Sequence, residues 1–200
     1  MRLATHHTKG LVEAGCDEAG RGCLAGPVVA AAVVLPPRVR IPGLNDSKKL
    51  NAARREELRP LIEEKALAWA VAACSPAEVD ALNILRASFV AMHRAIAALA
   101  ARPELLLIDG NRFAPYPGIP HVCLVKGDGR FRSIAAASIL AKTHRDELMA
   151  GLHEGHPAYN WAVNKGYPTP DHREAIRLIG PCEHHRRTFR LLPEQLELDL

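Results

Sequence analysis

The chain has 200 residues, of which 48% are hydrophobic and 24% are charged, and its formal net charge at pH 7 is +4. This composition is ordinary for a globular domain, and no apolar run is long enough to span a bilayer. The five cysteines are odd in number and lack CxxC spacing, which argues against a disulfide framework or a cysteine zinc site. We therefore expect a reduced, cytosolic protein with a single domain over residues 1–200, including a C-terminal helical extension and tail over roughly 168–200.

The first part of the chain predicts two neighbouring strands and a helix. Residues 11–17 form a short extended candidate, and residues 27–35 are apolar and β-branched, like a strand buried on both faces. The glycine-rich segment 18–22 lies between them, which indicates a hairpin with an enlarged turn. Further along, Asn51 is a helix cap before the charged segment 52–65.

Strands and helices alternate in the middle of the chain. Residues 67–73 predict a third strand, and Ser75 begins a capping box that starts a helix with apolar spacing up to Pro103. Further strands are predicted at 105–108 and 121–125, and further helices at 133–149 and 169–180. This order predicts an α/β domain with a mixed sheet.

Four carboxylates share one sequence context. They come at or just after predicted strands, and a glycine follows each site closely: Asp17, Glu18, Asp109 and Asp128. Ligands of open α/β sheets gather at strand ends, and oxygen-only donors suit Mg²⁺ and Mn²⁺. Two such ions can activate a water and stabilise the leaving oxygen of a phosphodiester. Each acid alone is more often a turn or cap residue, but the repeated placement favours a metal site.

The turn after the first acidic pair has the composition of an anion-binding loop. Gly20 and Gly22 let the backbone approach a ligand closely, and Arg21 can hold a phosphate through two parallel hydrogen bonds. The alternative is a tight hairpin turn with an exposed arginine.

Taken together, these stretches resemble the signatures of ribonuclease HII, in the order and spacing of that family. The segments that carry the resemblance are 15–35, 44–50, 108–111, 126–128, 134–142 with 145–146, 164–169, His172 and 184–187. The resemblance spans roughly residues 10–190. It implies a ribonuclease-H-like fold, in which a mixed central sheet is flanked by helices, with a small C-terminal helical extension.

The resemblance also implies an activity and its metal ions. The family cuts the RNA strand of RNA–DNA hybrids, and cuts on the 5′ side of single ribonucleotides embedded in duplex DNA, leaving 3′-hydroxyl and 5′-phosphate ends. The family's catalytic and metal-binding residues, which take Mn²⁺ or Mg²⁺, fall on Asp17, Glu18, Asp109 and Asp128. Two rival hypotheses are a non-catalytic hybrid-binding protein and another nuclease of the same fold that cuts DNA.

The resemblance implies how the junction between ribose and deoxyribose is recognised. The family's recognition element falls on Gly20, Arg21 and Gly22, and its stacking tyrosine falls on Tyr167. RNA and DNA differ by a 2′-hydroxyl, which backbone groups in a glycine turn can contact. The related ribonuclease HIII usually has lysine at Arg21. Cys23 departs from the family pattern, because proline is usual there.

Basic side chains in or beside these signatures are candidates for phosphate contacts, which position a duplex without reading its sequence. Those that we assign to the substrate are Lys48, Lys49, Lys142 and Arg186; the alternative is a solvated surface charge. The histidine pairs His6-His7 and His184-His185 do not predict a metal site, since adjacent residues rarely chelate one ion in regular structure.

The last residues resemble the short peptide with which bacterial replication and repair proteins hold the sliding clamp. The residues that match are Gln195, Leu196, Leu198 and Leu200. Alternating leucines of this kind can lie in an apolar groove of a partner. The alternative is a frayed helix end or a packed tail.

Overall fold

The fold is built on a five-stranded mixed sheet. The computed structural model describes residues 3–193. The strands are β1 (Glu13–Ala19), β2 (Val28–Val34), β3 (Ala68–Cys74), β4 (Leu105–Asp109) and β5 (His121–Leu124), in the spatial order β3-β2-β1-β4-β5. The pairs β1–β2 and β2–β3 are antiparallel, while β1–β4 and β4–β5 are parallel. The mixed sheet confirms the predicted α/β class.

Helices cover both faces of this sheet. They are α1 (Ala52–Lys65), α2 (Pro76–Leu82), α3 (Ile84–Ala97), α4 (Arg132–Gly155), α5 (Trp161–Asn164) and α6 (Pro170–Ile179). Strand β2 is buried along its whole length because its alternate residues face two different cores. Ala30 and Ala32 pack with α3, whereas Ala31 and Val33 pack with α1 and α4. Small side chains on both faces let the helices come close to the strand.

The longest helix, α4, lies directly against β1. A Cβ atom on Gly15 would stand 2.2 Å from the carbonyl carbon of Ser133, so only glycine permits this approach. The close contact brings the first turns of α4 beside the end of β1. It therefore places part of one wall of the site described below.

Three local features differ from the sequence predictions. The segment from Ser75 to Pro103 is not one helix, because Asn83 takes a positive φ of 66° and its side chain caps α3 by accepting from the Arg86 N–H. Strand β1 continues through Glu18 and Ala19, which we had placed in the turn. The chain also forms α5 and short 3-10 turns at Ser47–Lys49, Gly127–Gly129 and Pro157–Tyr159, which the sequence did not predict.

The C-terminal region packs against the loop that follows β1. The shared apolar cluster is formed by Leu24, Ala25, Met149, Tyr159, Trp161, Ile176 and Leu191. Whether 168–200 is an extension of a single domain stays a prediction. No helix within residues 3–193 is both long and apolar enough to cross a membrane. The predicted clamp-binding residues, from Gln195 to Leu200, lie outside the described part of the chain.

Candidate metal and nucleic-acid site

Three carboxylates from distant parts of the chain meet at one edge of the sheet. Asp17 lies near the end of β1, Asp109 is the last residue of β4, and Asp128 lies in the 3-10 turn after β5. Because β1 and β4 are parallel neighbours, their carboxyl ends lie at the same edge. Carboxylate oxygens of the three residues lie within 4.8 Å of one another. These three residues are called the acidic trio below.

Short backbone hydrogen bonds orient the acidic trio. The Glu18 N–H donates to Oδ1 of Asp17 at 2.7 Å, and the Gly127 N–H donates to Oδ1 of Asp109 at 2.7 Å. In the same way, the N–H of residue 129 donates to Oδ1 of Asp128 at 2.9 Å. Each carboxylate is therefore fixed by the backbone next to it or across the edge of the sheet.

Burial makes the charged form of these acids unfavourable. It raises the pKa of Asp17 well above its usual range, and the charges of Glu18 and Asp109 raise it further. Burial and the neighbouring charge of Asp128 also raise the pKa of Asp109. A divalent cation favours the charged form of such carboxylates, because its positive charge offsets their burial and their mutual repulsion. The acidic trio therefore fits a hard divalent ion such as Mg²⁺ or Mn²⁺.

Glu18 lies beside the trio and connects it to the glycine turn. Its Oε1 accepts a hydrogen bond from the Arg21 guanidinium at 3.1 Å. Burial raises the pKa of the Glu18 carboxyl, and the Arg21 charge opposes that shift. The role of Glu18 as a metal ligand stays a prediction.

A cleft of about 300 Å³ opens next to these acids. The described residues that line it are Asp17, Glu18, Ala19, Gly20, Arg21, Gly22, Ser47, Lys48, Arg55, Asp109, Ser138, Lys142 and Tyr167. Most of the residues that the sequence singled out are thus brought together. Ser47, Arg55 and Ser138 were missed, although both serines lie in segments that carry the family resemblance. Their hydroxyl oxygens lie 2.7 Å apart across the cleft wall.

The predicted lysine contacts divide into two groups. Lys48 reaches the acidic trio, with its Nζ 3.3 Å from Oδ2 of Asp128. Lys142 lines the cleft beside Tyr167 and holds its ammonium 5.7 Å from the ring centroid of that tyrosine. Lys49 is not among the cleft-lining residues in the described chain, and its Nζ lies 4.0 Å from Asp46.

Arg186 has a different place from the one predicted. Its side chain is fully buried, and its guanidinium donates to the carbonyls of Arg21 at 3.0 Å and Gly26 at 2.9 Å. A phosphate cannot reach a guanidinium that is enclosed in this way, so the prediction of a direct phosphate contact was wrong. Arg186 supports the glycine turn from the interior instead.

A second buried arginine packs against the glycine turn. Gly20 has φ +94°, and a Cβ atom there would stand 2.0 Å from Nε of Arg145. The Arg145 side chain is fully buried and donates to the carbonyls of Ala25, Pro27 and Lys165. The turn is thus held in its conformation by contacts with α4 and the C-terminal region.

Two histidines fix the backbone of Tyr167. The tyrosine itself has 39% of its surface exposed. Nδ1 of His172 lies 2.8 Å from the Tyr167 carbonyl oxygen and must carry the proton, because that oxygen only accepts. Nε2 of His172 then accepts from the Trp161 N–H at 3.0 Å and from His185 Nε2 at 3.2 Å. His185 is in the matching tautomer, since its Nδ1 accepts from the Cys182 N–H at 3.1 Å. Both rings are therefore neutral.

Comparison with known proteins shows the family of the chain. The family model described as Ribonuclease HII matches residues 14–192. A protein of Parabacteroides distasonis named Ribonuclease HII is 64% identical over 196 residues, which cover 98% of each chain.

Two solved structures have the same fold. The PCNA:RNase HII complex from Archaeoglobus fulgidus contains a chain with a TM-score of 0.75 and 29% identity, and the match covers 94% of this chain and 99% of that one. The ribonuclease H2 of Pyrococcus horikoshii gives a TM-score of 0.74 at 26% identity, over 90% and 94% of the two chains. The expected ribonuclease-H-like fold is confirmed.

Proposed function

This chain belongs to the ribonuclease HII family of metal-dependent endonucleases, and we propose from that premise that it cuts on the 5′ side of single ribonucleotides embedded in duplex DNA. The same site would cut the RNA strand of RNA–DNA hybrids. In both cases the products carry 3′-hydroxyl and 5′-phosphate ends.

The observation that carries this proposal is the acidic trio at the sheet edge. Asp17, Asp109 and Asp128 would hold two divalent ions, with Glu18 beside them. When bound, Mg²⁺ or Mn²⁺ supplies a water of lowered pKa and neutralises charge on the reacting phosphate. The protein orients the carboxylates through backbone N–H groups, and Lys48 places a positive charge next to Asp128.

Substrate choice would come from the two sides of the cleft. The Gly20–Gly22 turn presents backbone groups that can contact a ribose 2′-hydroxyl, while the ring of Tyr167 offers a flat surface for the next sugar. Deoxyribose can stack closely on such a ring, whereas the extra hydroxyl of ribose interferes. Lys142 and Arg55 add positive charge along the path of the phosphates.

The ion pair between Glu18 and Arg21 supports a coupling of recognition and chemistry. It joins the glycine turn to the acids at 3.1 Å. A substrate that engages Arg21 would therefore also change the surroundings of Glu18. This favours a nuclease that senses the sugar at the point of cutting over a nuclease for DNA alone.

The test is a duplex with one embedded ribonucleotide, incubated with Mg²⁺ or Mn²⁺. We expect one cut on the 5′ side of the ribonucleotide, no cut in the matched all-DNA duplex, and loss of cutting in Asp17→Asn. Equal cutting of the two duplexes, or full activity in Asp17→Asn, would falsify the proposal.

Partner binding and location form a separate part of the proposal. The resemblance of Gln195, Leu196, Leu198 and Leu200 to a clamp-binding peptide agrees with the PCNA complex known for the Archaeoglobus relative. We propose that the tail binds the sliding clamp and that the protein acts in the cytosol, where the DNA substrate is. Deleting residues 195–200 should weaken clamp binding while leaving cleavage of a short duplex unchanged.

A further inference from the structure

We propose that this protein has a second metal site, which takes Zn²⁺ or a similar transition ion and lies outside the catalytic cleft. Its ligands are the imidazoles of His156 and His184 and the carboxylate of Glu183. One ligand atom from each residue lies within 4.8 Å of the other two. His156 directly follows α4, and the other two lie in the segment after α6. These three residues are called the histidine site below.

The spacing of the donor atoms is close to that of a zinc centre. Oε1 of Glu183 lies 3.8 Å from Nε2 of His156 and 3.7 Å from Nε2 of His184. Zinc bonds of about 2.1 Å in tetrahedral geometry separate neighbouring ligand atoms by roughly 3.4 Å. Movements of a few tenths of an ångström therefore suffice to bring the Glu183 oxygen to this spacing from each imidazole. Both separations are too long for hydrogen bonds, so the three atoms face one another without a shared proton.

The two imidazoles are held in place before any ion arrives. Their ring centroids lie 5.0 Å apart in an edge-to-face contact, and both rings pack on Trp161, at 5.6 Å for His156 and 5.9 Å for His184. The carbonyl of His184 accepts from the Gly26 N–H at 2.9 Å, which fixes that backbone. Among residues 3–193, no hydrogen bond uses Nε2 of either histidine.

Exposure of the histidine site lets an ion enter from solvent. The side chains of His156 and His184 are 28% exposed, and that of Glu183 is 73% exposed. Three protein ligands leave a fourth tetrahedral position for water.

The acidic trio and the histidine site differ in the type of ligand atom, and ligand type determines which metal ions a site prefers. Imidazole nitrogen suits Zn²⁺, Ni²⁺ and Co²⁺, whereas carboxylate oxygen alone suits Mg²⁺ and Mn²⁺. The acidic trio and the histidine site therefore favour different ions. Millimolar Mg²⁺ is expected to leave the histidine site available for zinc.

The structure also explains why the His184-His185 pair gave no metal prediction. The two rings have different surroundings, since His185 is 1% exposed and bonds with His172 inside the protein, whereas the side chain of His184 is 28% exposed. The partner of His184 is instead His156, which folding brings in from the end of α4.

A bound ion would join the end of α4 to the segment 182–186. This segment carries His185 and Arg186, which support the Tyr167 backbone and the glycine turn. Zinc binding would therefore stabilise the region behind the cleft without contacting the reacting groups. The effect to measure is a change in binding and thermal stability.

The test titrates ZnCl₂ into the full-length protein by calorimetry in the presence of millimolar Mg²⁺. We expect one zinc per chain with micromolar affinity, and a melting temperature that rises by several degrees at saturating zinc. His156→Gln and His184→Gln should each weaken zinc binding at least about tenfold. The double variant His6→Gln/His7→Gln and the variant Asp17→Asn should bind zinc like the unchanged protein.

Variants that disturb the fold are recognised from their melting temperatures without zinc. Glu183→Gln provides an independent variant, because this exposed side chain has little packing to lose. The proposal is overturned if the unchanged protein binds no zinc at concentrations up to about 100 μM, a range that an isolated three-ligand site should reach. It is also overturned if zinc binds equally well to the folded Glu183→Gln protein.

Discussion

The Nε2 atoms of His172 and His185 face each other at 3.2 Å in the interior, and this contact connects the C-terminal segment to the backbone of Tyr167. Only one arrangement of protons satisfies all their partners, and it leaves both rings neutral. The position of an exposed tyrosine thus depends on two histidines that do not reach the cleft. His172 is accordingly a positioning residue.

Replacing His172 should affect recognition of the junction. In His172→Asn the Tyr167 carbonyl loses its imidazole donor, and we expect unfolding free energy to fall by about 1–3 kcal/mol. The kcat/KM for a single embedded ribonucleotide should fall more than that for a uniform RNA–DNA hybrid, because stacking at the junction depends on the tyrosine. The matched control is His93→Asn, which removes a similar bond to the carbonyl of Ala114 away from the cleft. Equal loss on both substrates would contradict the positioning role.

The histidine pair should make stability depend on acidic pH. Burial, and after it the interaction with His172, lowers the pKa of His185 from 6.5 to about 4. Because the folded value lies below the unfolded one, this stabilising contribution is complete above pH 6.5 and is lost as pH falls towards 4. Urea unfolding across this range should show that the free energy of unfolding falls more steeply with decreasing pH for the unchanged protein than for His185→Gln. Parallel curves would disprove the prediction, since the two proteins share all other titrating groups.

Removing one acid of the trio should raise the stability of the metal-free protein and lower its activity. Asp17→Asn eliminates a buried charge that repels Glu18 and Asp109. Without divalent ions, we expect this variant to unfold with a free energy on the order of 1 kcal/mol higher than the unchanged protein. Its activity should fall at least about a hundredfold with Mg²⁺ or Mn²⁺, because a ligand is lost. Thermal unfolding in EDTA and a cleavage assay measure the two effects.

The glycine turn should tolerate an added methyl group at one glycine and not at the other. Gly20→Ala places a Cβ atom 2.0 Å from Nε of Arg145 at φ +94°, so we expect it to destabilise the protein by more than about 2 kcal/mol. At Gly22 no atom lies within 4 Å of an added Cβ, so Gly22→Ala should change unfolding free energy by less than about 1 kcal/mol. Chemical denaturation of the pair decides this.

Salt dependence should separate a phosphate contact from a structural arginine. Lys142→Ala removes a charge from the cleft and should reduce the slope of log affinity against log salt by about 1. Arg186→Lys should leave that slope unchanged but destabilise the protein, because lysine cannot bond with the carbonyls of Arg21 and Gly26 together. Binding to a hybrid is measured at several salt concentrations with an inactive background. A reduced slope in Arg186→Lys would restore the earlier prediction of a phosphate contact.

The acids were visible in the sequence because their signal is local. Asp109 ends an apolar strand and Asp17 lies near the end of a neighbouring one, and parallel strands bring such ends together. The break at Asn83 was not visible, because the apolar spacing continues across it and only the backbone angle reveals the change of direction.

The buried residues that hold the glycine turn and Tyr167 in place could not be predicted from the sequence in the same way. The guanidinium of Arg186 donates to the carbonyls of Gly26 and Arg21, which lie 160 and 165 positions earlier in the chain. A sequence pattern shows that an arginine is present, but its burial depends on which distant backbone folds over it. The same reason hid Arg145 and the histidine pair. In each case the sequence shows which chemical group the side chain carries, but it does not show which distant residues that group contacts.

The long separation between Arg21 and Arg186 also bears on how the molecule forms. Contacts between residues so far apart raise contact order, and folding slows because a large loop must close before they form. During synthesis, the acids of β1 leave the ribosome far ahead of the segment that holds the glycine turn. A growing chain therefore carries its acidic residues early, but the turn gains its contact with Arg186 only after 165 further residues have been made.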